Sequence, residues 1–269
     1  MLFRSGRSEL ARHEEAVRVL DVGVERAAAA EAGALVEAER GEERIGRAGH
    51  AEQAAREWIE LRFPEDGIVG EELPTVRRSA ARRWILDPID GTYTFLQSVP
   101  LWGTLVAVAE GDSVIAGAAY FPALDEIIVA ARGEGSWWNG SRAIVSTVAE
   151  LAESRLVTTD ARFLRDEARR ERWTRLQNGA RTMRTWGDCY GYLLVATGRA
   201  DIMVDEVISD WDGAAFMPII TEAGGQFTDW RGRATAFGGD AIATNGKLGG
   251  IVREILAPAG VLASAGVAR

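Results

Sequence analysis

Apolar residues recur at Leu10, Val17, Leu20, Val24, Ala28 and Leu35, a spacing that predicts one long amphipathic helix over 8–39. The stretch "RGEERIGRAG" breaks that pattern with glycines and charge. Ala54, Trp58 and Leu61 then mark one face of a second helix near 50–62. "PEDGIVGEELP" reads as a turn, a short strand and a loop. From 83 to 131 the period shortens. "RRWILD", "WGTLVAVAE", "SVIAGAAYF" and "DEIIVAA" are short, β-rich runs separated by turn residues, with "EGD" and "PALD" as hairpin connections. This pattern predicts an α+β half, residues 1–145, built on an antiparallel sheet.

From about 146 strands and helices alternate. "RLVTT" precedes a helix at 165–178, "RTMRT" a helix at 188–197, and "ADIMV" a helix at 211–223. Strands near 226–229 and 241–244 and a helix near 246–256 follow. Such alternation predicts an α/β half, residues 146–269. No repeat or low-complexity linker separates the halves, so they read as one unit with a cleft between them.

Composition narrows the function. The chain has 269 residues and 47% hydrophobic content, enough for a large core. A net charge of -9 argues against nucleic acid or an anionic membrane as the main partner. Cys189 is the single cysteine; no intrachain disulfide is possible, which fits a reducing cytoplasm. The N-terminal stretch lacks an apolar signal core, and no run approaches the roughly 20 apolar residues of a membrane span. The expectation is a cytoplasmic enzyme. The basic residues are almost all arginine, Lys247 being the one lysine.

"WILDPIDGTYTF", residues 84–95, carries the chemistry. A strand runs straight into Asp87 and Asp90, with Pro88 between them and Gly91 after. The turn lets both acids and the Ile89 carbonyl face one point, an oxygen cluster suited to hard cations such as Mg2+. Glu71 and Glu72 likewise follow a short apolar strand. Asp212, in "WDGAAFMPIITEAGG", opens a helix whose dipole favours its ionised form; Gly224-Gly225 end it. Each piece alone also fits a solvated loop, a turn or a helix cap. Three acidic sites at element ends together point to one metal cluster.

"GEE", "DPIDGT" and "WDGAAFMPIITEAGG" resemble the three signature motifs of the inositol monophosphatase superfamily, Mg2+-dependent phosphomonoesterases that lithium often inhibits. The likeness covers about 50–256. It implies a layered αβαβα sandwich of the inositol monophosphatase and fructose-1,6-bisphosphatase type, combining α+β and α/β halves. It also implies a small-molecule phosphomonoester substrate, two or three Mg2+ ions (Mn2+ as a possible substitute) and a homodimer. By motif, Glu71, Asp87 and the Ile89 carbonyl would bind one ion, and Asp87, Asp90 and Asp212 a second. The Gly91 and Thr92 amides would hold phosphate. The Thr92 hydroxyl, with Glu71 and Asp90, would orient the attacking water, with Glu72 behind them.

"RTWGDCYGYLLVATGRADIMVD" resembles the histidinol-phosphate phosphatase branch. There Asp188, which follows Gly187 where the inositol branch has a small or hydroxyl residue, and Asp205, seven residues before Asp212, would contact substrate. Extra carboxylates complement an ammonium and an imidazole. Asp188 also fits a helix cap and Asp205 a surface acid, while Trp102, Trp186 and Tyr190 fit either the pocket or the core. Rival readings are an inositol-1-phosphatase or broad sugar-phosphate phosphatase, and a non-catalytic phosphate-binding homologue. One departure stands out. The superfamily's Lys loop and Val-Thr-x-Ala-Asp step are replaced by "ERGEERIGRAGHAEQAARE". Arg44 or Arg47 would stand in for the Lys, and His50 falls near the expected Asp. A third metal site is in question on that account.

Overall fold

Strands buried on both faces need apolar side chains at successive positions, and Trp84-Ile85-Leu86 meets that need. In the computed structural model Trp84 and Leu86 pack on one side of their strand and Ile85 on the other. The structure describes residues 41–163 and 167–257, with side chains from residue 48 onward; the helix expected over 8–39 lies outside them.

The first sheet has seven strands in chain order: β1 (Gly67–Gly70), β2 (Arg82–Asp90), β3 (Gly103–Glu110), β4 (Ser113–Phe121), β5 (Glu126–Ala131), β6 (Gly135–Trp138) and β7 (Ser141–Arg142). β1 pairs with β2 in parallel and the remaining neighbours are antiparallel. The sheet is thus mixed rather than purely antiparallel. Helix α1 (Gly41–Arg62) covers one face, with Ile59 against Ile68, Trp84, Val106 and Val108.

The second sheet contains β8 (Arg155–Val157), β9 (Thr182–Arg184), β10 (Ile202–Asp205), β11 (Gln226–Thr228) and β12 (Ala241–Thr244), in the order β11-β12-β10-β8-β9. The remaining helices are α2 (Thr92–Leu96), α3 (Glu167–Gly179), α4 (Asp188–Ala196), α5 (Asp210–Ala214), α6 (Phe216–Glu222) and α7 (Gly249–Leu256). Leu193 of α4 and Phe216 and Ile219 of α6 share one core with Ile85 and Leu105 of the first sheet and Met203 and Ala243 of the second. On the outer face of the second sheet, Leu156, Ile202 and Ile242 pack with Trp173 and Leu176 of α3 and Val252 of α7. The layers therefore run α1, first sheet, α4 and α6, second sheet, α3 and α7, which is the expected αβαβα order.

Two expectations need correction. "GEERIGRAG" lies within α1 and does not break it. Glutamate and arginine are good helix formers, and each of the two interior glycines, Gly46 and Gly49, costs only about 1 kcal/mol. The single helix expected at 211–223 is two, α5 and α6. Pro218 explains the division: it has no N–H for the Ala214 carbonyl, and its ring crowds that carbonyl.

Candidate active site

The end of β2 is irregular. Residues 87 and 90 would point to opposite faces of a regular strand, but the pairing with β3 shifts register between Asp87 and Asp90. Pro88 contributes no ladder donor there, and its carbonyl accepts the Thr104 hydroxyl at 2.8 Å. Asp87 Oδ1 accepts the Ile89 N–H at 3.0 Å. Gly91 then takes a left-handed φ of 82° and starts α2. The outcome is a loop whose acids face the same side.

Asp212 reaches the same point from the second half. It stands in the first turn of α5, where its Oδ2 accepts the Ser209 N–H at 2.7 Å in a capping box. It is both a capping residue and a member of the cluster. Carboxylate oxygens of Asp87, Asp90 and Asp212 lie within 4.8 Å of one another. Among the described residues no arginine or lysine bonds to any of them. The set fits hard divalent cations, which take carboxylate and carbonyl oxygens. Glu71, directly after β1, hydrogen-bonds Asp87, and the Ile89 carbonyl accepts the Thr92 hydroxyl at 3.0 Å.

The electrostatics follow from this crowding. Burial, then the charges of Asp90, Glu71 and Asp212, push Asp87 well above the ordinary carboxylate range. Burial, then Asp188 and Asp212, does the same to Asp90. Asp212 is raised to about 6, chiefly by burial. Glu71 and Glu72 are raised by burial and by nearby acids.

α4 locks onto this loop. The Cys189 N–H donates to Asp90 Oδ2 at 2.6 Å, and the Thr94 hydroxyl donates to Asp188 Oδ2 at 3.1 Å. Asp188 thus lies beside Gly91: a Cβ on that glycine would stand 3.2 Å from Asp188 Oδ2. Asp188 itself has a φ of 47°, a left-handed conformation uncommon without glycine. Asp205, at the end of β10, is 5% exposed and accepts the Tyr192 hydroxyl at 2.8 Å and the Thr159 N–H at 3.1 Å. Burial raises it to about 6.

The aromatic candidates divide. Trp102 is buried and packs edge-on to Phe95 with ring centres 4.8 Å apart, so it is core. Tyr190 bonds to Glu126 at 3.1 Å, and Trp186 is half exposed. His50 is exposed, and the side chains of Arg44 and Arg47 lie outside the described residues.

Close to His50 in the chain lies a buried acid, Glu52. Only 1% exposed, it accepts the Glu72 N–H at 2.8 Å and the Leu73 N–H at 3.3 Å and pairs with Arg56 at 2.6 Å. A Cβ at Gly70 would overlap its carboxylate, so the glycine before Glu71 is what lets Glu52 approach.

Residues 22–264 match the model of the inositol monophosphatase family. The chain is 41% identical over 212 residues to a histidinol-phosphatase of Chlorobaculum parvum, covering 78% of this chain and 81% of that one. It is 38% identical over 190 residues to a histidinol-phosphatase of Mycobacterium tuberculosis, covering 69% and 73%. An inositol monophosphatase structure from Zymomonas mobilis superposes with a TM-score of 0.81 at 28% identity, covering 91% of this chain and 98% of that one.

Proposed function

The chain belongs to the inositol monophosphatase family and is a metal-dependent phosphomonoester hydrolase, and from that premise we propose that its substrate is histidinol phosphate and its metal Mg2+. One observation carries the substrate choice. The Asp188 carboxylate stands beside Gly91, on the loop proposed to hold phosphate. A group there meets the alcohol end of a bound ester, and histidinol brings an ammonium and an imidazole that a carboxylate complements. The names of the two relatives support the same substrate.

In this reading Glu71, Asp87 and the Ile89 carbonyl would hold one ion, and Asp87, Asp90 and Asp212 the other. Bound Mg2+ would neutralise the crowded carboxylates and the ester phosphate and favour ionisation of a nearby water. The Gly91 and Thr92 amides, at the start of α2, would bind phosphate oxygens. The Thr92 hydroxyl, donating to the Ile89 carbonyl at 3.0 Å, would accept a hydrogen bond from the attacking water and so orient it. Glu71 and Asp90 would complete that orientation. Asp205 would support the cationic end of the alcohol from below Asp188. Glu52 would hold the Glu71-Glu72 segment in place through its backbone. Because phosphoryl transfer depends mainly on positioning and charge neutralisation, these roles suffice for in-line hydrolysis. The proposal includes a cytoplasmic homodimer, in keeping with the single buried thiol and with the family's habit.

The test is phosphate release from histidinol phosphate, inositol 1-phosphate and fructose 1,6-bisphosphate, with and without Mg2+. Histidinol phosphate is expected to give the highest kcat/KM, and only with metal. A higher value for inositol 1-phosphate or fructose bisphosphate would overturn the substrate reading.

A further inference from the structure

Thr159 lies just beyond β8 and bonds to both acids assigned to the alcohol end of the ester. Its Oγ1 accepts the Asp188 N–H at 2.8 Å. Its own N–H donates to Asp205 Oδ1 at 3.1 Å. A hydroxyl lone pair serves one acid's backbone and the main-chain N–H serves the other's carboxylate, so a single residue meets both. The two backbones meet closely: a Cβ on Gly187 would collide with the Thr159 main chain. That contact brings the Asp188 amide onto the Thr159 hydroxyl.

Asp188 needs such support. Its left-handed backbone persists only where surrounding bonds over-determine it. Thr94 holds its carboxylate and Thr159 holds its amide. On the far side, Tyr192 holds the other oxygen of Asp205 at 2.8 Å. Thr94, Asp188, Thr159, Asp205 and Tyr192 form one connected series with Thr159 at the centre.

We propose that Thr159 is a positioning residue for substrate selection, its hydroxyl setting the spacing between the Asp188 and Asp205 carboxylates. This rests on the reading that these two acids meet a cationic alcohol. The hydroxyl takes no part in the chemical step. It acts on the pocket that distinguishes one alcohol from another, and a misplaced carboxylate there weakens binding of the cationic ester alone. Thr159 is exposed, so replacing it leaves the core intact.

Thr159→Val keeps the branched shape and removes the hydroxyl that receives the Asp188 N–H, whereas Thr159→Ser keeps it. With Mg2+ present, Thr159→Val is expected to raise KM for histidinol phosphate about tenfold. kcat, and KM for inositol 1-phosphate or p-nitrophenyl phosphate, should stay within about twofold. Thr159→Ser should restore KM. Equal weakening of cationic and neutral esters, or no rescue by serine, would overturn the proposal. If the wild-type protein does not cleave histidinol phosphate, the substrate reading fails on its own. A crystal structure of Thr159→Val then decides the positioning role. Displaced Asp188 and Asp205 carboxylates uphold it, and unchanged ones overturn it.

Discussion

Asp201 and Asp87 are almost equally buried, at 0% and 2% exposure, and their surroundings are opposite. Asp201, just before β10, receives the Arg155 main-chain N–H at 2.7 Å and its guanidinium at 3.0 Å, together with the Ser146 hydroxyl. Burial alone would raise its pKa, yet these bonds hold it below the ordinary value. Asp66, Asp229 and Asp240 are likewise paired with an arginine, Arg82, Arg233 and Arg169. Asp87 has acids and no cation for charged neighbours, and burial followed by their charges moves its pKa up. Among the described residues, arginine is supplied to several buried carboxylates and withheld from the Asp87, Asp90 and Asp212 cluster, which leaves that cluster to an external cation.

The contrast is sharpest in Asp90→Asn. The amide can still accept the Cys189 N–H, while one charge leaves the cluster. kcat/KM should fall at least ~10³-fold, while the metal-free protein melts at the same temperature or higher, because repulsion has been relieved. A metal-free melting point several degrees lower would place Asp90 with the paired acids and break the distinction. Asp201→Asn should do the reverse. Loss of the bonds to Arg155, whose side chain is partly exposed, should cost about 2 kcal/mol. Activity per folded molecule should be retained, and a collapse of kcat would show that the two classes are not separate.

The smallest effect is a pH dependence. In the folded metal-free protein Asp205 and Asp212 titrate near 6, above the ordinary value of 3.8. Between those values the folded chain holds more protons than the unfolded one. Stability is therefore fullest on the acid side and declines as pH rises toward about 6. Thermal melts without metal should show a fall of several degrees across this window, smaller in Asp212→Asn. Excess Mg2+ should remove Asp212's share of the fall. An equal fall in wild type and variant would show that Asp212 does not carry the effect.

Much of this was legible in the sequence because alternation and motif spacing are local. "SVIAGAAYF" became β4 with the expected ends, and residues 241–244 became β12. The strand-end acids Asp87 and Asp90 and the helix-start acid Asp212 converge as the pattern implied. What was missed depends on approach between distant segments. Glu52 is recognisable only when the Glu72 amide and the close pass at Gly70 are seen. Thr159 looks like an ordinary strand-end residue until Asp188 and Asp205 are folded against it. The β6–β7 hairpin escaped because "GSWWNGSR" is short and mostly polar outside its two tryptophans. The left-handed turn at Asp188 has no sequence signal.

The 2.6 Å bond from the Cys189 amide to Asp90 joins the acid-bearing end of β2 to α4. The Thr94–Asp188 bond makes a second rivet alongside it. Any jaw-like opening of the halves would have to tear both, dismantling the cluster with each cycle. Esters must instead come and go over the rim of an anvil that stays put, so swapping rim residues between relatives would alter traffic without retuning the strike.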